Sequence, residues 1–493
     1  MSSKVAIQRL ATGVPGLDEV LGGGLPEFSF NLIAGQPGCG KTTLAHQIMF
    51  ALATPERPAL YFTVLGEPPL KMLRYQQQFD FFDSQALEGR VRFISLSEEA
   101  MAGDLDLVLR RIVEAVAALS PALVFVDSFR SVIVANENSG HPRQGLQQFV
   151  QQLGMLMTTW QATTFLIGEY FNETDANPVF TVADGLIWLR QSVLRNSMVR
   201  KMEVLKMRGQ STLPGLHTYR IATSGIEVFA PAAAVVAAQA EADPAPALEP
   251  RARLGVTGLD EMLGGGLPRG YSLLVAGPSG SGKSVLAASF LAEGARCGEK
   301  GVVMAFEQRP NHERNRLLAD LIAAGQVSLL NSQAPDLSID EVVYLLVGEI
   351  RRHGAGRVVI DSLSGFELAL APSFREDFRE SLLGLVTALS SAGVTVLMTS
   401  ELEDRYTDLR FSPYGTAFLT DAIIVQRYIE VESCLRRVTA VIKVRASAHS
   451  DELREYRIDG GGIHIGEKLP NQEGLLGGRP TRRRDPPPPG GGD

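Results

Sequence analysis

The chain has 493 residues, 45% apolar and 21% charged, with a formal net charge of −8. That length exceeds one ordinary core and predicts two domains or more, in a globular, water-soluble composition class, while the acidic balance argues against a broadly basic nucleic-acid surface. Cys39, Cys297 and Cys434 stand alone; without a C-x-x-C pair they indicate neither a disulfide framework nor a zinc site and suit a reducing cytoplasm. Met-Ser-Ser-Lys at the start lacks the apolar stretch of a signal peptide. No apolar run approaches the ~18–20 residues of a membrane span. The expectation is a cytoplasmic protein with no membrane association.

In chain order, an apolar strand over 30–34 runs into Gly35-Gln36-Pro37-Gly38-Cys39-Gly40-Lys41-Thr42, and a helix over 41–53 follows. This fits G-x-x-x-x-G-K-S/T. Gly35, Gly38 and Gly40 let backbone N–H groups turn inward around phosphate oxygens, Lys41 reaches the terminal phosphates, and the Thr42 hydroxyl binds Mg²⁺, with Thr43 beside it. Next come a strand over 59–65, a helix over 69–79, helical spacing over 105–118, a strand over 122–127, a helix over 144–161, and strands over 163–168, 185–189 and 202–207. Apolar strands alternating with helices predict a mostly parallel sheet covered on both faces.

The pattern then repeats. Gly277, Ser279, Gly280, Ser281, Gly282, Lys283 and Ser284 belong to a second match, 242 residues after the first. Two chance matches in one chain come to about one in ten thousand, so ordinary glycine turns do not explain them. Leu17-Asp18-Glu19 through Leu25-Pro26 recurs as Leu259-Asp260-Glu261 through Leu267-Pro268 at the same offset. Strands over 273–276, 301–306, 357–361, 394–399, 422–426 and 438–444 match those of the first copy. The fold class expected is α/β, with tandem P-loop NTPase domains over 1–230 and 251–468. An Ala/Pro-rich linker over 231–250 separates them, and a Gly/Pro-rich tail over 469–493 reads as disordered.

A triphosphate site needs an acid on a neighbouring strand end for the Mg²⁺ shell. Asp127 and Asp361 supply it; each closes an apolar strand and is followed by Ser. A strand often ends in a turn Asp, but here each lies ~80 residues after a phosphate loop, in both copies. Hydrolysis also needs a group to orient or deprotonate water. Glu67 and Glu307, at the ends of the strands after the first helices, are the candidates. Lys206 and Arg208, and Lys443 and Arg445, share a strand face within each copy. A solvated strand face accounts for such spacing, and recurrence favours a functional role.

Together these motifs resemble the double-domain KaiC family of RecA-like ATPases, over about residues 9 to 468. The resemblance implies a two-tiered homohexamer with ATP between neighbouring subunits, and a K-x-R pair reaching the γ-phosphate held by the next subunit. Lys206, Arg208, Lys443 and Arg445 would then act in trans like arginine fingers, and ATP would also be an assembly ligand. Departures follow. The family's two adjacent glutamates reduce to Glu67 in one copy and to Glu307-Gln308 in the other. The phosphoacceptor pair of the clock proteins falls on Ala417 and Phe418, which lack hydroxyls. The primary expectation is therefore an ATP hydrolase that switches with nucleotide state and signals to a regulatory protein partner. A Ser/Thr autokinase with a displaced acceptor (Ser412, Thr416 or Thr420) is the alternative. A RadA- or RecA-like repair ATPase and a non-catalytic ATP-binding scaffold are further readings. Against repair stand the missing C-x-x-C module and a loop over 136–142 without basic or aromatic grips for a strand.

Overall fold

A computed structural model describes residues 7–64, 69–102, 104–129, 131, 143–171, 178–194, 197–231, 251–306, 315–331, 336–375, 378–402, 419–431, 433–468, 472–473 and 481–482. The chain divides into two compact units, Met1–Pro231 and Ala232–Asp493. In the first, the elements used below are β1 (Phe30–Gly35), α1 (Lys41–Leu52), β2 (Ala59–Thr63), α2 (Pro69–Gln76), β3 (Val91–Ser95), α3 (Leu105–Leu119), β4 (Leu123–Asp127), α4 (Arg143–Thr159), β5 (Thr163–Glu169), β6 (Gly185–Leu194), β7 (Ser197–Met207), β8 (Leu216–Ala222) and β9 (Gly225–Val228). In the second they are β10 (Ser272–Gly277), α5 (Lys283–Arg296), β11 (Lys300–Ala305), α6 (Arg316–Ala323), β12 (Val327–Asn331), α7 (Ile339–His353), β13 (Ala355–Asp361), α8 (Phe378–Ser391), β14 (Thr395–Glu401), β15 (Ala422–Val431), β16 (Cys434–Val444), β17 (Arg454–Asp459) and β18 (Gly462–Lys468).

Each unit holds one nine-stranded sheet, and the strand orders are the same: β3-β2-β4-β5-β1-β6-β7-β8-β9 and β12-β11-β13-β14-β10-β15-β16-β17-β18. Pairing is parallel from the outer edge through β1 to β6, then antiparallel out to β9. This is the tandem α/β architecture expected from the alternation of apolar strands with helices. The two-residue side-chain period puts Ile33, Tyr61 and Phe125 in the cluster under α1, and Leu32, Leu60 and Val124 in the cluster under α3 and α4. Both faces are dry, so the central strands read as unbroken apolar runs.

The repeated Gly-Leu-Asp-Glu segment closes one end of each sheet. In the first copy Asp18 Oδ1 accepts from the Thr12 amide at 2.9 Å and its hydroxyl at 2.7 Å. In the second, Asp260 accepts from the Leu254 and Gly255 amides. Short ladders (Arg9–Leu10 with Leu25–Pro26, Arg251–Ala252 with Leu267–Pro268) accompany them. The sequence pattern missed β3, β12 and the hairpins β8–β9 and β17–β18. These are short and broken by polar or charged residues, as in Val91-Arg92-Phe93-Ile94-Ser95 and Val327-Ser328-Leu329-Leu330-Asn331, so neither a run nor a clean alternation marks them. Within the tail, Gln472–Glu473 pairs antiparallel with Thr481–Arg482. Of the linker, only Pro231 lies among the described residues.

Candidate nucleotide site

The strand order sends the chain from β1 past β5 and β4 to β2, so the C-terminal ends of β1 and β4 open onto the crevice where α/β sheets take ligands. The first phosphate loop joins β1 to α1 there. Gly40 caps α1 at φ 94°, and Gly282 caps α5 at φ 97°. A Cβ at Gly40 would also lie 2.7 Å from the Ile221 side chain, and one at Gly282 would lie 2.4 Å from that of Ile458. Both positions therefore require glycine. Lys41 and Lys283 are buried and fold back onto their own loops. Lys41 Nζ donates to the Gln36 carbonyl at 2.8 Å, and Lys283 Nζ to the Gly277 and Pro278 carbonyls at 2.9 and 3.0 Å.

The acid expected on the neighbouring strand is in place in the first repeat. Thr42 Oγ1 donates to Asp127 Oδ2 at 2.8 Å, and Tyr61 Oη donates to the same oxygen at 2.8 Å. Burial pushes the Asp127 carboxyl above its usual range; the Thr42 and Tyr61 donors and the Lys41 charge pull it back, and Glu169 pushes it up again. A buried carboxylate beside a loop hydroxyl fits a divalent cation, whose charge would offset the lost hydration. The second repeat solves the problem differently. Thr399 Oγ1, on β14, donates to Asp361 Oδ1 at 2.6 Å. By strand register, Val303 stands where Tyr61 stands, and Ile167 stands where Thr399 stands. A cavity of about 510 Å³ opens here, lined among others by Ser279, Gly280, Lys283, Ser284, Asp361 and Glu401. The Asp–Ser peptide bond is cis in both repeats.

Several site residues were not found by sequence reasoning. Tyr219 Oη donates to the Cys39 carbonyl and Tyr456 Oη to the Ser281 carbonyl, so the late hairpins hold both phosphate loops from behind. Glu169 and Glu401 end β5 and β14, level in register with Gly35 and Gly277. Their recurrence as the last residue of equivalent strands was the signal available. Glu67 and Glu307 lie outside the described residues, as do Ala417, Phe418, Thr416, Ser412 and the loop over 136–142.

The K-x-R pairs are not gathered with their own loops. Lys206 Nζ donates to the Thr181 carbonyl at 3.0 Å and Lys443 Nζ to the Thr420 carbonyl at 2.6 Å. Arg208 pairs with Asp184 at 3.0 Å and Arg445 with Asp421 at 3.2 Å. Both pairs sit beside the first residues of β6 and β15, at the amino ends of the parallel strands. The phosphate loops leave the carboxyl ends, roughly 17 Å away along six-residue strands.

The sequence pattern of the KaiC ATPase matches residues 10–233 and 252–470. The chain belongs to the KaiC ATPase family. It is 28% identical to the circadian clock oscillator protein KaiC of Picosynechococcus sp., over 97% of this chain and 93% of that one. It is 28% identical to the circadian clock protein KaiC3 of Synechocystis sp., over 96% and 95% of the two chains. To KaiC of Thermostichus vulcanus it is 26% identical, over 97% and 93%. As a KaiC-family member it is an ATP-binding protein of ATPase type with tandem RecA-like P-loop repeats. Among the described residues no helix is long and apolar enough to cross a membrane.

Proposed function

We propose that this chain is a Mg²⁺-dependent ATPase of KaiC type that assembles as a cytoplasmic ring, binds ATP between neighbouring chains and acts as a nucleotide-state switch in signalling or clock-like regulation. One observation carries the reading: each K-x-R pair stands a strand's length from the phosphate loop of its own repeat, too far to serve that loop, which favours service to a neighbouring chain's loop. In a homohexamer, Arg208 of one chain would approach the phosphate held by Gly35, Gly38, Gly40, Lys41, Thr42 and Thr43 of the next. Arg445 would do the same for Gly277 to Ser284.

Within a site the roles follow from chemistry. Lys41 or Lys283 would leave its loop carbonyls for the terminal phosphates. Thr42 with Asp127, and Ser284 with Asp361, would hold Mg²⁺, which supplies charge neutralisation across the phosphates. Glu67 and Glu307 would orient the attacking water. In favour of the metal pair stands the Thr42–Asp127 contact of 2.8 Å. A regulatory protein is the expected listener to the switch.

The test is steady-state ATP hydrolysis by wild type, Lys41→Ala and Lys283→Ala, with light scattering for mass and intact-mass analysis for added phosphate. A hexamer losing hydrolysis in one variant makes that repeat the motor. A wild type that neither hydrolyses nor gains phosphate sinks the enzyme reading in favour of a nucleotide-gated scaffold. Added phosphate without turnover moves the assignment to an autokinase with a displaced acceptor.

A further inference from the structure

Asp184 and Asp421 make a set of contacts that recurs in both repeats and that the nucleotide chemistry leaves unused. In the first, one carboxylate oxygen (Oδ2) accepts from the amide of Phe30, the first residue of β1, at 3.0 Å. The other (Oδ1) accepts from Arg208 Nη1 at 3.0 Å. The backbones are tied in the same sense, Asp184 N–H to the Phe30 carbonyl at 2.7 Å and Arg208 N–H to the Asp184 carbonyl at 2.9 Å. In the second repeat Asp421 Oδ2 accepts from the Ser272 amide at 3.0 Å and its hydroxyl at 2.9 Å, while Oδ1 accepts from Arg445 Nη1 at 3.2 Å. The backbone pair is again present, at 3.0 and 2.8 Å.

An ion pair this open contributes little to stability. Arg208 and Arg445 are 60% and 51% exposed in their side chains, and solvent screens such pairs. What the contact does supply is direction. In each repeat the carboxylate holds the guanidinium at Nη1, while the same carboxylate is fixed to the first residue of the strand that ends in the phosphate loop.

We propose that Asp184 and Asp421 are positioning residues: each aims its repeat's arginine at a neighbouring chain's phosphate and ties that aim to the strand carrying its own phosphate loop. The inference rests on the trans role of Arg208 and Arg445 proposed above. Loss of the aim acts on the neighbour's site, which a merely structural role would not do.

The experiment is subunit mixing in full-length chains carrying Asp361→Asn to silence the second repeat. Asp184→Asn keeps an oxygen for the Phe30 amide but removes the charge from Arg208; an effect of about 10- to 100-fold on hydrolysis is expected from misaimed positioning. Co-expressed under separate tags with Asp127→Asn chains, whose own first site is dead but whose arginine is intact, Asp184→Asn chains should recover hydrolysis above the mean of the two unmixed rings. The ATP concentration at half-assembly, read by light scattering, should rise about ten-fold in Asp184→Asn alone. Arg208→Ala mixed with the same partner is the control. Rescue of Arg208→Ala without rescue of Asp184→Asn overturns the inference and leaves the trans reading standing. Rescue of neither overturns both. An unchanged half-assembly concentration also overturns the inference. Should Asp184→Asn not fold, Asp421→Asn in an Asp127→Asn background, mixed with chains carrying Asp127→Asn and Asp361→Asn, gives the same decision.

Discussion

Removing one oxygen from Tyr61 tests how the first site holds Asp127, the acid proposed for Mg²⁺. The ring of Tyr61 is fully buried, stacked on Phe125 with centroids 5.7 Å apart, and 4.7 Å from the His46 ring. Tyr61→Phe keeps that packing and deletes only the donor 2.8 Å from Asp127 Oδ2. A hydrogen bond to a charged group contributes about 1.5–3 kcal/mol. Without that donor the Asp127 carboxyl, already raised by burial, should rise to a still higher value. Since the metal needs the carboxylate, Mg²⁺-dependent ATP binding is lost as pH falls through that value, and the variant should lose it at higher pH than the parent. The assay is equilibrium binding of a fluorescent ATP analogue with and without Mg²⁺, from about pH 5 to 8, in chains carrying Lys283→Ala. Tyr61→Phe should leave the second site untouched, since Thr399 Oγ1 is the donor to Asp361 there. An unmoved midpoint in Tyr61→Phe refutes the support assigned to that hydroxyl.

Other outcomes follow from buried groups. His46 is held down to about 4 by burial, which the Gln76 side chain partly opposes; the unfolded chain takes up a proton below about 6.5 and the folded one does not, so stability of the first repeat should fall by up to ~3 kcal/mol as pH drops from 6.5 to 4. His46→Leu should flatten that slope in urea titrations. Glu299, paired with Arg357 and Arg269, is held down to about 2 despite its burial. Its contribution should be full above the usual glutamate range and lost as pH falls toward 2, and Glu299→Gln should cost the second repeat about 3 kcal/mol by leaving Arg357 buried without its charge partner. Burial pushes the Cys39 thiol up, so in native protein it should label about 100-fold more slowly than exposed Cys297. Comparable rates would refute the protection assigned to burial of Cys39.

The phosphate loops and the strands ending in Asp127 and Asp361 were legible because each is a short pattern of fixed chemistry: glycines where the backbone turns, an acid where an apolar run stops. The parallel core was legible for the same reason, since strands dry on both faces have no polar interruption. The edges were not. β3 and the late hairpins carry charge and β12 carries Ser328 and Asn331, and what makes them strands is the neighbour they pair with. The supports were hidden more deeply. Tyr61 and Thr399 look like ordinary core residues, and only register across the sheet shows that each ends beside a strand-end Asp. Asp184 and Asp421 were visible as recurring letters before late strands, but that each serves two masters through two oxygens needs coordinates.

The two repeats hold Asp127 and Asp361 from opposite sides, Tyr61 on one flanking strand in the first and Thr399 on the other in the second. If both descend from one ancestral unit, the lineage passed through a repeat with both hydroxyls or with neither. The doubly buttressed intermediate always leaves the acid a hydroxyl donor, whereas the bare one leaves it none on either flank, so the order of change is constrained: gain on one flank before loss on the other. The same constraint governs domain shuffling. A chimera that exchanges β2 for β11 alone leaves the first acid without its flanking-strand donor, while one that exchanges β2 and β5 together for β11 and β14 stays whole.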